Sequence, residues 1–279
     1  MPRFGHAVLG GTFDHLHVGH VALLRAAFRV GRKVSIGVTT DQYLAAHPKP
    51  DAALVQPFTV RSRALRRFLA SEFSHRKWEL GPLDDPFGRS VHPGVDAVIV
   101  SAETAARGEL VNQERRRLGN PPIPIVVVPV VLADDLAPVS SRRIRAGEID
   151  REGRRRAPLR FGVAADAPEV QATLLRAVRH AFRLARVFPR PAPLGRPRGA
   201  AAPRAAVLAE RAISGTDLAI GVAGHPPGPW SMVLRSPTVA LPARRIRVTG
   251  TVALEREVAR LLRPGIKRNA FGPPRPSSH

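Results

Sequence analysis

The stretch LGGTFDHLHVGHVALLRAA, Leu9 to Ala27, places three of the chain's ten histidines, His15, His17 and His20, within six residues. Gly10, Gly11 and Thr12 precede them and an apolar stripe follows. Glycines let a backbone turn tightly and approach a ligand, and the unpaired N–H groups at a helix start favour an anion. His17 and His20 are three apart, so they share one face of a first helical turn, and Thr12 adds a hydroxyl. The chemistry such a set can do is to collect donors around phosphate. Two other readings of the same residues stay open at this point. His-x-x-His could hold a metal with Asp14 as third ligand, or the histidines could be exposed polar residues.

The elements that must position these groups are legible as alternating patterns. Ala7–Leu9, Val34–Val38, Val95–Val100 and Ile125–Val131 are short β-branched runs of the kind found in buried parallel strands. Val21, Leu24 and Phe28 recur at helical steps, as do Val60, Ala64, Leu65 and Phe68, and a third helix is expected over residues 102–118. Alternation of this kind predicts a doubly wound α/β sheet, whose ligands sit beyond the carboxyl ends of the strands. The histidine-rich stretch falls at the first such end.

The chain has 279 residues and no cysteine, which excludes disulfides and thiolate chemistry and suits a reducing cytosol. The longest apolar run, Ile123 to Ala133, holds two prolines and is too short to span a membrane; a cytoplasmic protein without a membrane partner is expected. Net charge is +22, unevenly spread: residues 1–153 carry 21 Lys+Arg against 16 Asp+Glu, and residues 154–279 carry 23 against 6. Genome base composition is the simpler cause of the arginine excess. A polyanion partner for the second half, nucleic acid included, is the alternative and is not favoured. A homo-oligomer is compatible with the sequence.

Gly11-Thr12-Phe13-Asp14-His15-Leu16-His17-Val18-Gly19-His20 resembles the hallmark of the nucleotidylyltransferase superfamily. The first half is similar, more narrowly, to phosphopantetheine adenylyltransferase of the archaeal and eukaryotic type. The likeness runs from about Arg3 to Gly153 through GVTTD (Gly37–Asp41), Lys49-Pro50 with VQPFTVRSRALRRFL up to Leu69, PLDDPFG (Pro82–Gly88), DAVIVSAET (Asp96–Thr104), VNQERRRLGNPPI (Val111–Ile123) and VSSRRIRAGEIDREG (Val139–Gly153). It implies a Rossmann-like doubly wound parallel sheet and transfer of the adenylyl group of ATP to 4′-phosphopantetheine. A phosphate monoester has a second pKa of about 6 and is largely dianionic at neutral pH, so no general base is required. Donors and cations that align and neutralise two anions suffice.

The resemblance further implies His20 against the transition-state phosphate and Thr12 between the reacting phosphates. Gly11, Phe13 and His17 would line the ATP side, and Lys49 would meet the phosphopantetheine phosphate. Ser140 and Ser141 would hold the β- and γ-phosphates, with Arg145 as an added cation. Arg142 departs from the threonine usual in that motif. Ser101, Glu103 and Asn112 fall in blocks expected to line the nucleotide. Mg²⁺ is expected to travel with ATP, held by phosphate oxygens and not by a protein cage. Arg115-Arg116-Arg117 reads as a solvated helix face.

Residues 154–159 read as a linker and residues 160–268 as a second, smaller α/β domain. Within it residues 188–204 read as a mobile Pro/Arg loop, and residues 269–279 as a disordered tail. This half resembles the inosine/xanthosine triphosphatase family in GVAADAPEVQATLLRAVRHAF, in AERAISGTDLAIGVAG and in SPTVALPARRIRVTGTVALEREVARLL. The residues that would do that family's chemistry are replaced, by Ala167, Gln171 and Ala223 among others. Metal-assisted hydrolysis needs carboxylates, and six acidic residues serve the whole half, so the resemblance implies the fold without the activity. Two alternatives to adenylyl transfer are kept: another nucleotidylyltransferase of the same fold, making cytidylyl or flavin nucleotides, or a nucleic-acid-binding protein that uses the basic half.

Overall fold

Short β-branched runs set the first sheet. In the computed structural model, which describes residues 2–47, 52–181, 185–190, 200–224, 229–237 and 243–262, the chain divides into two units. The first comprises residues 1–131 and 139–153, and the second residues 132–138 and 154–279.

The first unit holds a five-stranded parallel sheet of β1 (Phe4–Gly11), β2 (Gly31–Thr39), β3 (Lys77–Leu83), β4 (Ala97–Ser101) and β5 (Ile125–Val128), ordered β3-β2-β1-β4-β5. Side chains alternate across each strand. Ala7, Leu9, Val34 and Ile36 face α1 (Val18–Val30) and α3 (Phe58–Glu72), whose Leu24, Phe28, Leu65 and Leu69 complete one core. Val8, Val98 and Val100 face the other way, toward α4 (Ala105–Arg117). Helices α2 (Asp41–Ala46) and α5 (Ser141–Arg145) are short. The strand order reverses between β1 and β4, which makes the crevice at their carboxyl ends the place for a ligand.

Three sequence expectations need correction here. β3 was not among the expected strands: its Lys77 and Glu79 interrupt the apolar run that marks a buried strand, which an edge strand does not require. The helix expected over 102–118 begins with a 3₁₀ turn, Ala102–Thr104, and the strand expected over 125–131 stops at Val128.

The second unit has a mixed sheet of β6 (Arg160–Ala165), β7 (Arg186–Pro189), β8 (Leu218–Ala223), β9 (Trp230–Arg235) and β10 (Arg244–Ile246), ordered β10-β9-β8-β6-β7. β6 runs parallel to β7 and β8, and β9 runs antiparallel to both its neighbours. Helices α6 (Pro168–Ala181) and α8 (Thr251–Leu262) cover one face and α7 (Ala201–Ile213) the other. Gly162 and Gly221 let α7 sit against the strands, because a Cβ at either would overlap the carbonyl of Ala212 or Ala205.

Residues 154–159, expected as a linker, are built into this unit. Arg155 pairs with Asp135 at 3.2 Å and Asp217 at 3.4 Å, and Leu159 is buried in the core. Residues 132–138, expected in the first domain, also belong here, with Leu136 buried in the same core. Phe188 and Pro189 end β7 and residues 201–204 open α7, so the ends of the expected loop are regular structure. Residues 191–199 and the expected tail, 269–279, lie outside the described residues. No helix among the described residues is long and apolar enough to cross a membrane.

Candidate active site

Strand β1 ends at Gly11 and the chain turns through residues 12–17 before α1. Phe13 (φ 52°) and His15 (φ 43°) both adopt left-handed backbone, a conformation that costs a side-chain-bearing residue on the order of 1 kcal/mol. Tertiary contacts hold them there. The Phe13 ring is buried and packs 5.2 Å from the ring of His20, while the His15 N–H donates to Gln56 Oε1 at 3.2 Å. Asp14, buried between them, accepts from the Gln56 N–H at 3.0 Å and from Arg145 Nη1. Its carbonyl accepts from Ser141 Oγ at 2.5 Å. The first turn is thereby tied to the segment before α3 and to α5.

His17 is the N-cap of α1. The Gly19 N–H donates to His17 Nδ1 at 3.1 Å, which satisfies one orphan donor of the helix start. That bond fixes the tautomer: Nδ1 must carry the lone pair, so the proton of the neutral ring sits on Nε2. Gly19 is required for it, since a Cβ there would stand 2.9 Å from His17 Cε1. The His17 and His20 rings stack, with centroids 3.8 Å apart. Burial pushes the His17 pKa down to about 4, with Asp14 opposing and His15 adding to the fall. Burial, with His17 beside it, pushes His20 to about 3. Both imidazoles are therefore neutral at pH 7 and offer N–H donors, not cations.

These groups open on a cavity of about 950 Å³ at the carboxyl ends of the strands. Gly11, Thr12, His17 and His20 line it from the first turn, Ser101, Glu103 and Arg107 from the segment after β4, and Ser140 and Ser141 from the start of α5. Such a site offers neutral donors and hydroxyls to an anionic chain, with arginines, Arg66 and Arg107 among them, as its fixed positive charge.

The cytidylyltransferase-like family model matches residues 8–147, half of the chain. The chain belongs to the cytidylyltransferase-like family. Curated relatives narrow the likeness. A phosphopantetheine adenylyltransferase of Methanopyrus kandleri is 42% identical over 151 residues, covering 54% of this chain and 94% of that protein. The enzyme of the same name from Methanothermobacter thermautotrophicus is 39% identical over 152 residues, 54% of this chain and 89% of that one. A bifunctional phosphopantetheine adenylyltransferase/NTP phosphatase of Thermoplasma acidophilum is 39% identical over 158 residues, but the match covers 56% of this chain and 47% of that protein. These matches fall on the N-terminal half.

Among the residues singled out in the sequence, the cytidylyltransferase-like fold brings Gly11, Thr12, His17, His20, Ser101, Glu103, Ser140 and Ser141 to one cavity. Three others are placed elsewhere. Phe13 is core. Asn112 is buried, its amide clamping the backbone of Ile123 in both directions, at 3.0 Å and 2.9 Å. Arg145 is turned to Asp14 and does not line the cavity. Lys49 lies outside the described residues. Asp14 is engaged by Gln56 and Arg145, so it does not join His17 and His20 as a metal ligand.

Arg115 is not on a solvated face. Its guanidinium is buried and donates to the carbonyls of Pro121 (2.7 Å), Ser90 (2.8 Å) and His92 (2.8 Å). Arg116 and Arg117 are exposed. Ser140 Oγ accepts from the Arg143 N–H at 3.4 Å and caps α5, and Ser101 shares a hydrogen-bonded turn with Thr104. Arg107 and Arg61 were missed. Arg107 carries no signal beyond its position near the Ser101 block, and nothing in VQPFTVR sets Arg61 apart from its neighbours.

Proposed function

We propose that the first unit transfers the adenylyl group of ATP to 4′-phosphopantetheine, giving dephospho-coenzyme A and pyrophosphate. The observation that carries this reading is the convergence of Thr12, His17 and His20 with Ser140 and Ser141 on one cavity, in a chain 42% identical over 151 residues to a protein named phosphopantetheine adenylyltransferase.

A phosphate oxygen of the acceptor attacks the α-phosphorus, the bond from that phosphorus to the bridging oxygen breaks, and pyrophosphate leaves with the electron pair. No side chain needs to take a proton, and no covalent intermediate forms. Thr12 would offer its hydroxyl between the two phosphates. His17 would donate from Nε2 along the nucleotide's phosphates. His20 Nδ1 is buried without a hydrogen-bond partner among the described residues, which leaves Nε2 to meet the α-phosphoryl oxygens where charge builds. Lys49 fits the acceptor phosphate by resemblance alone.

No group of three or more His, Asp or Glu among the described residues is placed to hold a metal ion. Mg²⁺ would be carried by the triphosphate, where it would share the charge of the β- and γ-oxygens. In the second unit, Asp166 at the carboxyl end of β6 is engaged by Arg204 at 2.8 Å and by the Gly224 N–H at 3.0 Å. Gln171 donates to the Val163 carbonyl at 3.1 Å. Groups committed in this way support a second unit that does not hydrolyse nucleotides.

The test is the purified full chain with ATP and phosphopantetheine, followed by pyrophosphate release and by dephospho-coenzyme A, beside a panel of other nucleotides and acceptors. Dephospho-coenzyme A formed with preference for ATP is the expected result. Pyrophosphate release only with CTP, or only with another acceptor, would move the enzyme to a different reaction of the same fold.

A further inference from the structure

We infer that Arg61 is the positioning residue that sets Thr12 in place, an inference that rests on the adenylyl-transfer reading above. Arg61 sits in the first turn of α3 with its side chain fully buried. Burying a guanidinium is costly unless its N–H groups are satisfied, and here four bonds are made. Nε donates to the Gln56 carbonyl at 2.6 Å, Nη1 to the carbonyls of Thr12 and Thr39, both at 2.8 Å, and Nη2 to Asp41 Oδ1 at 2.7 Å.

The location gives these bonds their meaning. β1 and β2 pair in register up to Gly11 and Val38. Thr12 follows the end of β1 and Thr39 is the last residue of β2, just past the point where the β1–β2 ladder stops. One nitrogen of Arg61 takes both carbonyls at that point, so the guanidinium replaces the missing rung. A third segment is fixed by Nε, the one whose Gln56 N–H also holds Asp14. Asp41 anchors the far side and accepts from the Phe58 N–H at 3.0 Å and 2.9 Å, which binds the start of α3 to the same carboxylate. Arg61 does not line the cavity, whereas Thr12 does. It can influence the reaction only through what it holds.

The planar fork matters. A lysine ammonium in the same space has three N–H groups on one nitrogen and cannot meet all four acceptors. In Arg61→Lys the Thr12 carbonyl would share or lose its donor and the hydroxyl would drift. Misplacement of about 1 Å in such a group costs on the order of 10²-fold in rate.

The experiment uses the full chain with Arg61→Lys, Thr12→Ala and the double variant, measured for kcat, for KM of ATP and phosphopantetheine, and for melting temperature. The ¹³C-methyl resonance of Thr12 is recorded without ligand. We expect kcat to fall roughly 10- to 100-fold in Arg61→Lys, with KM for ATP within about twofold, and no further fall when Arg61→Lys is added to Thr12→Ala. The Thr12 methyl should shift or broaden. Losses that multiply in the double variant would overturn the inference, because a residue needed only for folding acts independently of Thr12. If Arg61→Lys does not fold, Asp41→Asn, at an exposed carboxylate, loosens the same anchor and must show the same dependence on Thr12. A wild-type chain that makes no dephospho-coenzyme A would sink the adenylyl-transfer reading alone. The Thr12 methyl would then decide, and a resonance unmoved by Arg61→Lys would dismiss Arg61 as its positioner.

Discussion

The imidazoles of His17 and His20 lie stacked, with centroids 3.8 Å apart and planes 27° from parallel. Burial lowers the pKa of both rings, to about 4 for His17 and about 3 for His20, and the neighbouring His17 adds to the fall at His20. An unfolded chain holds both near 6.5. Between pH 6.5 and about 4 the unfolded chain therefore binds protons that the folded one refuses. Stability should be level above neutrality and fall as pH drops through that window, continuing toward pH 3 for His20. Thermal melts from pH 8 to pH 4 on the wild type and a His17→Gln/His20→Gln variant check this. The variant should lose less on acidification, and equal slopes would refute the coupling. Asp41 and Glu79, whose carboxyls are also held below their ordinary values, add the same acid sensitivity to both proteins.

The cap bond separates two roles of His17. Replacement by Ala removes both the acceptor for the Gly19 N–H and the Nε2 donor. Replacement by Asn keeps an N-cap acceptor and removes only the donor. His17→Ala should cost about 1 kcal/mol of stability, and His17→Asn much less, while both depress adenylyl transfer alike. Urea melts beside initial rates distinguish the two. If Asn restored turnover, His17 would be a cap and nothing more.

Among the described residues His20 Nδ1 has no hydrogen-bond partner, so replacing His20 removes its ring packing on Phe13 and His17 and its Nε2, but no cap bond. His20→Ala should lower kcat by about 10²- to 10³-fold, the range for removal of one transition-state donor, with a smaller change in ATP affinity. Rates close to wild type would remove His20 from the mechanism.

The sequence exposed the part of this site that is local. His17 and His20 meet because a helix brings residues three apart together, and Gly19 between them is explained by the ring it must avoid. Roles set by distant partners were not legible. Asn112 has the polarity of a ligand contact, yet it serves Ile123, 11 residues away, and Arg145 answers Asp14 across 131 residues. Arginine runs mislead for the same reason, since Arg115 is a buried staple beside exposed Arg116 and Arg117. Strand β3 escaped because an edge position tolerates Lys77 and Glu79, and apolar periodicity is a signal of burial before it is a signal of strand.

Arg115 carries its own prediction. Its three carbonyl partners lie in two segments, Ser90 and His92 before β4 and Pro121 before β5. Arg115→Ala removes the donor to all three carbonyls, the one of Ser90 in a buried hydrogen bond, at about 3 kcal/mol. Arg116→Ala and Arg117→Ala should stay within about 0.5 kcal/mol of wild type, as exposed substitutions do. Chemical denaturation of the three variants checks the order. A destabilised Arg116 or Arg117 variant, or an indifferent Arg115 variant, would contradict it.

The boundary between the units is not a single cut, because residues 132–138 belong to the core of the second. Leu136, with a left-handed backbone (φ 61°), is buried in the core that also holds Phe161, Leu174 and Trp230, and Asp135 pairs with Arg155. Removing a buried leucine side chain costs roughly 2–5 kcal/mol, and here the cost should fall on the second unit. The chain's two tryptophans make that readable, as Trp78 lies in the first unit and Trp230 in the second. In a Trp78→Phe background the fluorescence of Trp230 follows its own core. Adding Leu136→Ala should lower that melting midpoint, and a chain ending at Gly153 should expose Leu136 and self-associate until Leu136 is replaced by Ser. A Trp230 midpoint indifferent to Leu136→Ala would return residues 132–138 to the first unit.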